Sequence, residues 1–177
     1  MIHLGPNTIG RGVAAVFLLS SALLPSASPA GSEITGRASV IDGDTLDIQG
    51  ARIRLHGIDA PESWQTCESK AGKPYRCGKA AAEALDAFLA ASRPTSCQER
   101  DIDRYGRIVA VCFRADGQGV NEWMVATGNA VDWPRYSRGE FQAAQQRAKT
   151  AQAGIWSGSF IMPCEARAVR SGRSGGC

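Results

Sequence analysis

Between Val40 and Glu62 the sequence reads VIDGDTLDIQGARIRLHGIDAPE, which gathers Asp42, Asp44, Asp59 and Glu62, with Arg54 among them, into two short turns. Asp42-Gly43-Asp44 ends one extended run, and Asp59-Ala60-Pro61-Glu62 ends another. Chain reversal between the runs brings both acidic turns to the same end of a sheet. Carboxylates held this way repel one another unless a cation or a strong set of hydrogen-bond donors compensates. A hard divalent ion with oxygen ligands meets that need, and calcium is the ion expected. The bland alternative is a set of solvated turn residues, because Asp and Gly are ordinary turn formers. Arg54, and Arg107 further along, weigh against it.

The elements that must position these residues are legible in outline. Ile34 to Ile41, Thr45 to Ile48 and Arg52 to His56 alternate partially, with Gln49-Gly50 as a tight turn, and predict three antiparallel strands. From Gly78 to Ala91, Ala81, Ala84, Leu85, Phe88 and Leu89 recur at helical spacing. Thr95 to Arg100 and Arg107 to Phe113 read as two further strands around Asp103-Arg104-Tyr105-Gly106. Asn121 is expected to cap a short helix that Gly128 stops, and a last helix is expected from about Ser137 to Gln152. Three strands, a helix, two strands and two helices match the order of a five-stranded OB-fold barrel with three helices, an α+β class that is mainly β. Residues 31–162 form this domain, and residues 163–177 are expected to be a mobile basic Gly/Ser-rich tail.

Residues 1–30 carry Arg11, an apolar run from Val13 to Leu24 and a small-residue end at Ser28-Pro29-Ala30, the pattern of a secretory signal peptide. The run is short for a bilayer span, so an uncleaved anchor is the weaker reading. The remainder is large enough for one domain, and its charge is only mildly basic, which says nothing of nucleic acid by itself. All six cysteines lie in that remainder, so a secreted or periplasmic location with disulfides is expected. Cys67 and Cys77 flank one loop, and Cys97 and Cys112 sit symmetrically about the Arg104-Tyr105 turn, which favours those two bridges. Cys164 with Cys177 is what then remains, and no Cys-x-x-Cys spacing supports zinc.

VIDGDT, IRLHGIDAPE, GKAAAEAL, DRYGR and VNEWMVATGNA, in this order, resemble the staphylococcal-nuclease-like family, the thermonucleases, over about residues 34 to 156. Each piece alone is weak; five in register are specific. The resemblance implies a calcium-dependent phosphodiesterase that cleaves DNA and RNA with little sequence preference and leaves 3′-phosphate ends. It implies that Asp44 and Asp59 bind the metal by their side chains, Ala60 by its backbone carbonyl, and that Asp42 supports them. It further implies Glu62 as general base and Arg54 and Arg107 as the arginines gripping the scissile phosphate. Ala60 stands where the best-known member has threonine, a change a backbone ligand survives. Tyr136 aligns with a tyrosine of the nucleotide pocket, whereas a second falls on Pro134, so that either nucleotide affinity is weaker or Trp133 supplies the stacking surface.

Phosphodiester hydrolysis needs an activated water, relief of charge growing on the phosphoryl oxygens and help for the leaving alkoxide. Glu62 suits the first; calcium and two planar guanidinium forks suit the second. Arginine is too weak an acid to protonate the alkoxide, so Arg107 is expected to stabilise it electrostatically. Arg104 and Tyr105 either shape their hairpin or meet phosphate and base, Trp64 is either a substrate contact or a buried side chain, and Lys70, Lys73 and Tyr75 on the Ser63–Arg76 loop are candidates to meet the strand. Trp123 and Trp156 read as core, His56 as structural, and Arg167, Arg170 and Arg173 as a solvated tail. The competing functions are a catalytically silent OB-fold module that binds nucleic acid, and an exported protein that calcium merely stabilises. DNA and RNA are the expected partners, with no membrane span after signal cleavage and a monomer as the default.

Overall fold

Short alternating strands build a curled sheet. The computed structural model describes residues 1–3, 32–174 and 177, so the expected signal peptide lies almost wholly outside the described residues. In chain order the strands are β1 (Glu33–Gly36), β2 (Ala38–Asp42), β3 (Thr45–Ile48), β4 (Ala51–Leu55), β5 (Ile58–Asp59), β6 (Cys67–Glu68) and β7 (Pro74–Tyr75). Helix α1 (Cys77–Ala90) follows, then β8 (Thr95–Ile102), β9 (Ile108–Arg114), α2 (Val120–Ala126) and β10 (Val131–Asp132). The chain finishes with α3 (Pro134–Ser137), α4 (Gln142–Thr150), a 3-10 turn (Gly154–Ser157) and α5 (Pro163–Arg170).

The main sheet runs β1-β8-β9-β4-β3-β2, antiparallel throughout except for β4 beside β9. Its two edges, β1 and β2, are separated in the chain by Arg37 alone. They are two halves of one bent strand, so the sheet must curl to bring its edges together. Counted that way, five strands make the expected OB-fold barrel, and the parallel β4–β9 pair is the contact that a plain meander lacks.

Leu46, Ile48, Ile53 and Leu55 alternate inward from β3 and β4 and meet Ala81, Leu85, Phe88 and Leu89 on one face of α1. Phe88 stacks on Trp123 of α2 with ring centres 4.0 Å apart. Cys97 and Cys112 are register partners on β8 and β9 and form a disulfide inside this core. Cys67 joins Cys77 across β6 and the start of α1, and Cys164 joins Cys177 around α5.

Three expectations need correction. Gly119, not Asn121, caps α2, and the Asn121 side chain is buried inside the fold. The single helix expected from Ser137 to Gln152 is two, because Arg138 and Gly139 both take positive φ (55° and 84°) and break it. The segment after Pro163, expected to be a solvated tail, is helical through Arg170, so the described helices number five rather than three.

Candidate active site

Backbone packing sets the two acidic turns against each other. A Cβ added to Gly43 would stand 2.7 Å from the Ala60 Cβ and 3.0 Å from that of Ala81, so the Asp42-Gly43-Asp44 turn fits only without a side chain at its centre. The Ala60 amide donates to Asp44 Oδ2 at 2.8 Å, and the Asp44 amide donates to Asp42 Oδ1 at 3.1 Å. Asp59 is fixed from the other side by β10, where Val131 is its register partner. Glu62 is placed by α1: a Cβ on Gly78 would collide with the Glu62 carbonyl at 1.7 Å. Gln65 accepts from the Glu62 amide and donates to the Ile161 carbonyl at 2.6 Å, tying this turn to the approach of α5.

The side chains converge as a charge cluster. Asp44 and Asp59 are 3% and 1% exposed, and Arg54 bonds both, through Nη1 to Asp44 and through Nη2 to Asp59 at 3.1 Å. Burial pushes the Asp44 carboxyl up to about 7; Arg54 opposes this, and Asp42 and Asp59 reinforce it. Burial works against the Arg54 cation, yet the carboxylates beside it, Asp44 foremost, raise its pKa further.

Arg167 completes the cluster. Its Nη1 and Nη2 donate to the two oxygens of Asp59 at 2.8 and 2.9 Å, and Nη1 also donates to Glu62 Oε1 at 2.6 Å. The fork–fork geometry is the strongest form of such a pair. Burial disfavours the Arg167 cation, but its bonds to Asp59 and then Glu62 raise its pKa. Sequence reasoning assigned this residue to a solvated tail.

Arg107 has a different partner. Its Nε and Nη2 both reach Asp103 Oδ2 at 2.7 Å, across the β8–β9 turn. Against slight burial, donors from Arg107 and Tyr105 hold the Asp103 carboxyl below its usual range. Arg54 pairs in register with Val109, two residues beyond Arg107, so strand alternation puts Arg54 and Arg107 on one face of the β4–β9 pair. Strand spacings separate their backbones by about 8 Å. Arg104 donates to the Tyr105 hydroxyl at 2.7 Å and lies over its ring, so these two shape the hairpin as well as its exposed tip.

Tyr136 is exposed and meets Trp133 edge-on at 4.6 Å. Trp133 and Pro134 line a cavity of about 200 Å³ with Asp59, Asp132, Met162 and Cys164, so the expected stacking surface adjoins the acidic cluster. Trp64 lies under the Arg170 guanidinium at 4.5 Å.

Among the described residues, no three carboxylate, histidine or cysteine side chains form a ready-made metal cage. The donor chemistry nonetheless fits a hard cation: among the described residues the ion pairs of Asp44, Asp59 and Glu62 are with Arg54 and Arg167, Asp42 lies beside Asp44, and four carboxylates so meet two guanidiniums. Asp44 and Asp59 would hold the ion, with the Ala60 carbonyl and water completing an oxygen shell and Asp42 supporting it.

Residues 52–158 match the family model described as staphylococcal nuclease homologue. A succinoglycan biosynthesis protein, ExoI, of Rhizobium meliloti (strain 1021) is 49% identical over 171 residues, which cover 97% of this chain and 86% of that one. An uncharacterized endonuclease of Escherichia coli is 30% identical over 138 residues, 75% of this chain and 83% of its own. A micrococcal nuclease of Shigella flexneri is 29% identical over 163 residues, 83% and 84% of the two chains. With the barrel, its paired acidic turns and the arginine they share already in place, these matches establish that the chain belongs to the staphylococcal nuclease homologue family.

Proposed function

We propose that this protein is an exported, calcium-dependent nuclease that hydrolyses phosphodiester bonds of DNA and RNA and leaves 3′-phosphate ends. The observation that carries the reading is Arg54 bonded at once to buried Asp44 and Asp59, beside the Glu62 turn. A stabilising salt bridge needs one acid for one base, whereas here four carboxylates meet two guanidiniums, and the two most enclosed groups, Asp44 and Asp59, are both acids. Enclosing two carboxylates side by side is costly and is characteristic of functional sites. Nuclease names among the relatives point the same way. Three disulfides suit an oxidising compartment, and no helix among the described residues is long and apolar enough to cross a membrane.

Bound calcium would neutralise charge on a phosphoryl oxygen and polarise the phosphorus. Glu62 orients the attacking water and takes its proton. Arg54 bonds a phosphoryl oxygen from the floor of the site, and Arg107 does so from the β9 side, where its fork also stabilises the leaving alkoxide without giving up a proton. Trp133 and Tyr136 offer stacking surfaces that every base satisfies, and contacts aimed at phosphate carry no sequence information.

The test is cleavage of single-stranded DNA with calcium or with a chelator, repeated with Glu62→Gln and Arg107→Ala. Each substitution is expected to slow cleavage about 100-fold or more, the scale of one lost transition-state contact. Undiminished cutting by both variants overturns the site assignment. Binding without cutting favours a silent module, and calcium-dependent melting with neither favours a structural role.

A further inference from the structure

Helix α5 lies beyond the segment that matches the family model, yet it sends a guanidinium into the acidic cluster. We infer that Arg167 is a built-in counter-cation that a divalent ion must displace from Asp59, so that metal loading and docking of α5 oppose each other. The inference rests on the metal-binding reading of Asp44 and Asp59.

Both oxygens of Asp59 are held by Arg167, and Oδ1 also receives Arg54. A cation drawing on the Asp59 side chain would sit within a few ångströms of the Arg167 guanidinium, in a place where solvent does not screen them, since Asp59 is 1% exposed. Asp59 already carries two guanidiniums, so a divalent ion would be a third cation on one enclosed carboxylate, and the added repulsion is strong. Arg54 cannot yield, because it is anchored to Asp44 and to the Ile58 carbonyl as well as to Asp59. Arg167 can: its side chain is 32% exposed and sits on an eight-residue helix that buries only Pro163 and Ala166.

The surroundings give the displaced arginine somewhere to go and keep it close. Trp133 lies 5.4 Å from the Arg167 guanidinium, and Trp64 lies under Arg170. The Cys164–Cys177 bridge closes the chain around α5, and Gln65 holds the Ile161 carbonyl ahead of it. Release from Asp59 also frees Glu62, the proposed base, because the same Nη1 bonds both carboxylates. Metal entry would thus unlock the base it works with.

Coupling between two binding events is reciprocal: whatever factor calcium loses by evicting Arg167, α5 loses in docking when calcium binds. Calorimetric titration of the oxidised full chain with calcium chloride reads the first half. Arg167→Gln is expected to bind calcium about tenfold more tightly than the unsubstituted protein, whereas Arg170→Gln on the same helix leaves affinity unchanged. Hydrogen exchange of the unsubstituted protein reads the second half, with amides of residues 163–170 expected to exchange faster once calcium is added. Equal or weaker calcium binding by Arg167→Gln, an equal gain from Arg170→Gln, or unaltered exchange overturns the coupling while leaving the metal site standing. Failure of every form to take up calcium overturns the metal reading and the coupling together.

Discussion

Asp44 carries the clearest cost of the site. Its folded carboxyl is raised from 3.8 to about 7 because it is buried among other acids. Between those values the unfolded chain has released the proton that the folded chain retains, so stability is fully present below 3.8 and is lost as pH rises towards 7. Asp44→Asn removes the titration while keeping an oxygen for the Ala60 amide. In a chelator, its melting temperature is expected to gain on the parent as pH rises through this window, and a constant gap would falsify the linkage. Asp42, Asp44, Asp59 and Glu62 were legible in the sequence because each lies in a turn or at the strand end beside one, where its neighbours announce it. Arg167 was not, since its partners Asp59 and Glu62 are 108 and 105 positions away. A short arginine-bearing segment reads as tail or helix alike until its docking surface exists. What the segment did offer was Pro163 at a helix's first turn and a cysteine at each end of the stretch.

Asn121 shows how an element is read correctly for the wrong reason. A polar residue ahead of an apolar run resembles a helix cap, and a helix is indeed there. The side chain instead accepts the Cys112 amide at 3.0 Å and donates to the His56 carbonyl at 2.9 Å, clamping β9 to the turn after β4. Local pattern cannot separate these roles, because only burial distinguishes them. Asn121→Ala is expected to cost about 2–4 kcal/mol in denaturant unfolding, since it orphans buried backbone groups. A true cap on the surface would cost about 1 kcal/mol. The β8–β9 hairpin makes a second claim at this scale, because Asp103 holds both Nε and Nη2 of Arg107. If Asp103 acts by aiming that guanidinium, Asp103→Asn slows cleavage less than Arg107→Ala does, and the double variant is no slower than Arg107→Ala alone. Additive losses in that cycle would show Asp103 acting independently.

The strand order of the barrel was legible, whereas the curl that draws its edges together was not. Ile34 to Ile41 reads as one strand, and the chain treats it as one strand bent at Arg37, with β1 joining β8 and β2 joining β3. That bend, and the parallel meeting of β4 and β9, are long-range pairings that no window of sequence contains. Their result is that Arg54 and Arg107, far apart in the chain, come to one face of the β4–β9 pair. Charge at this scale is nearly balanced, with 20 Lys and Arg against 17 Asp and Glu, so no broad positive field draws a polyanion in. Affinity for a strand must then come from a handful of guanidiniums and from stacking, and its salt dependence should be shallow. For single strands, the logarithm of affinity falls with the logarithm of salt by about 0.7 per phosphate neutralised. Two or three contacts predict a slope of about −1.4 to −2.1 for a single-stranded oligonucleotide held by the Glu62→Gln variant at fixed calcium. A slope near −5 would mean that the strand runs over an extended basic surface rather than through this site.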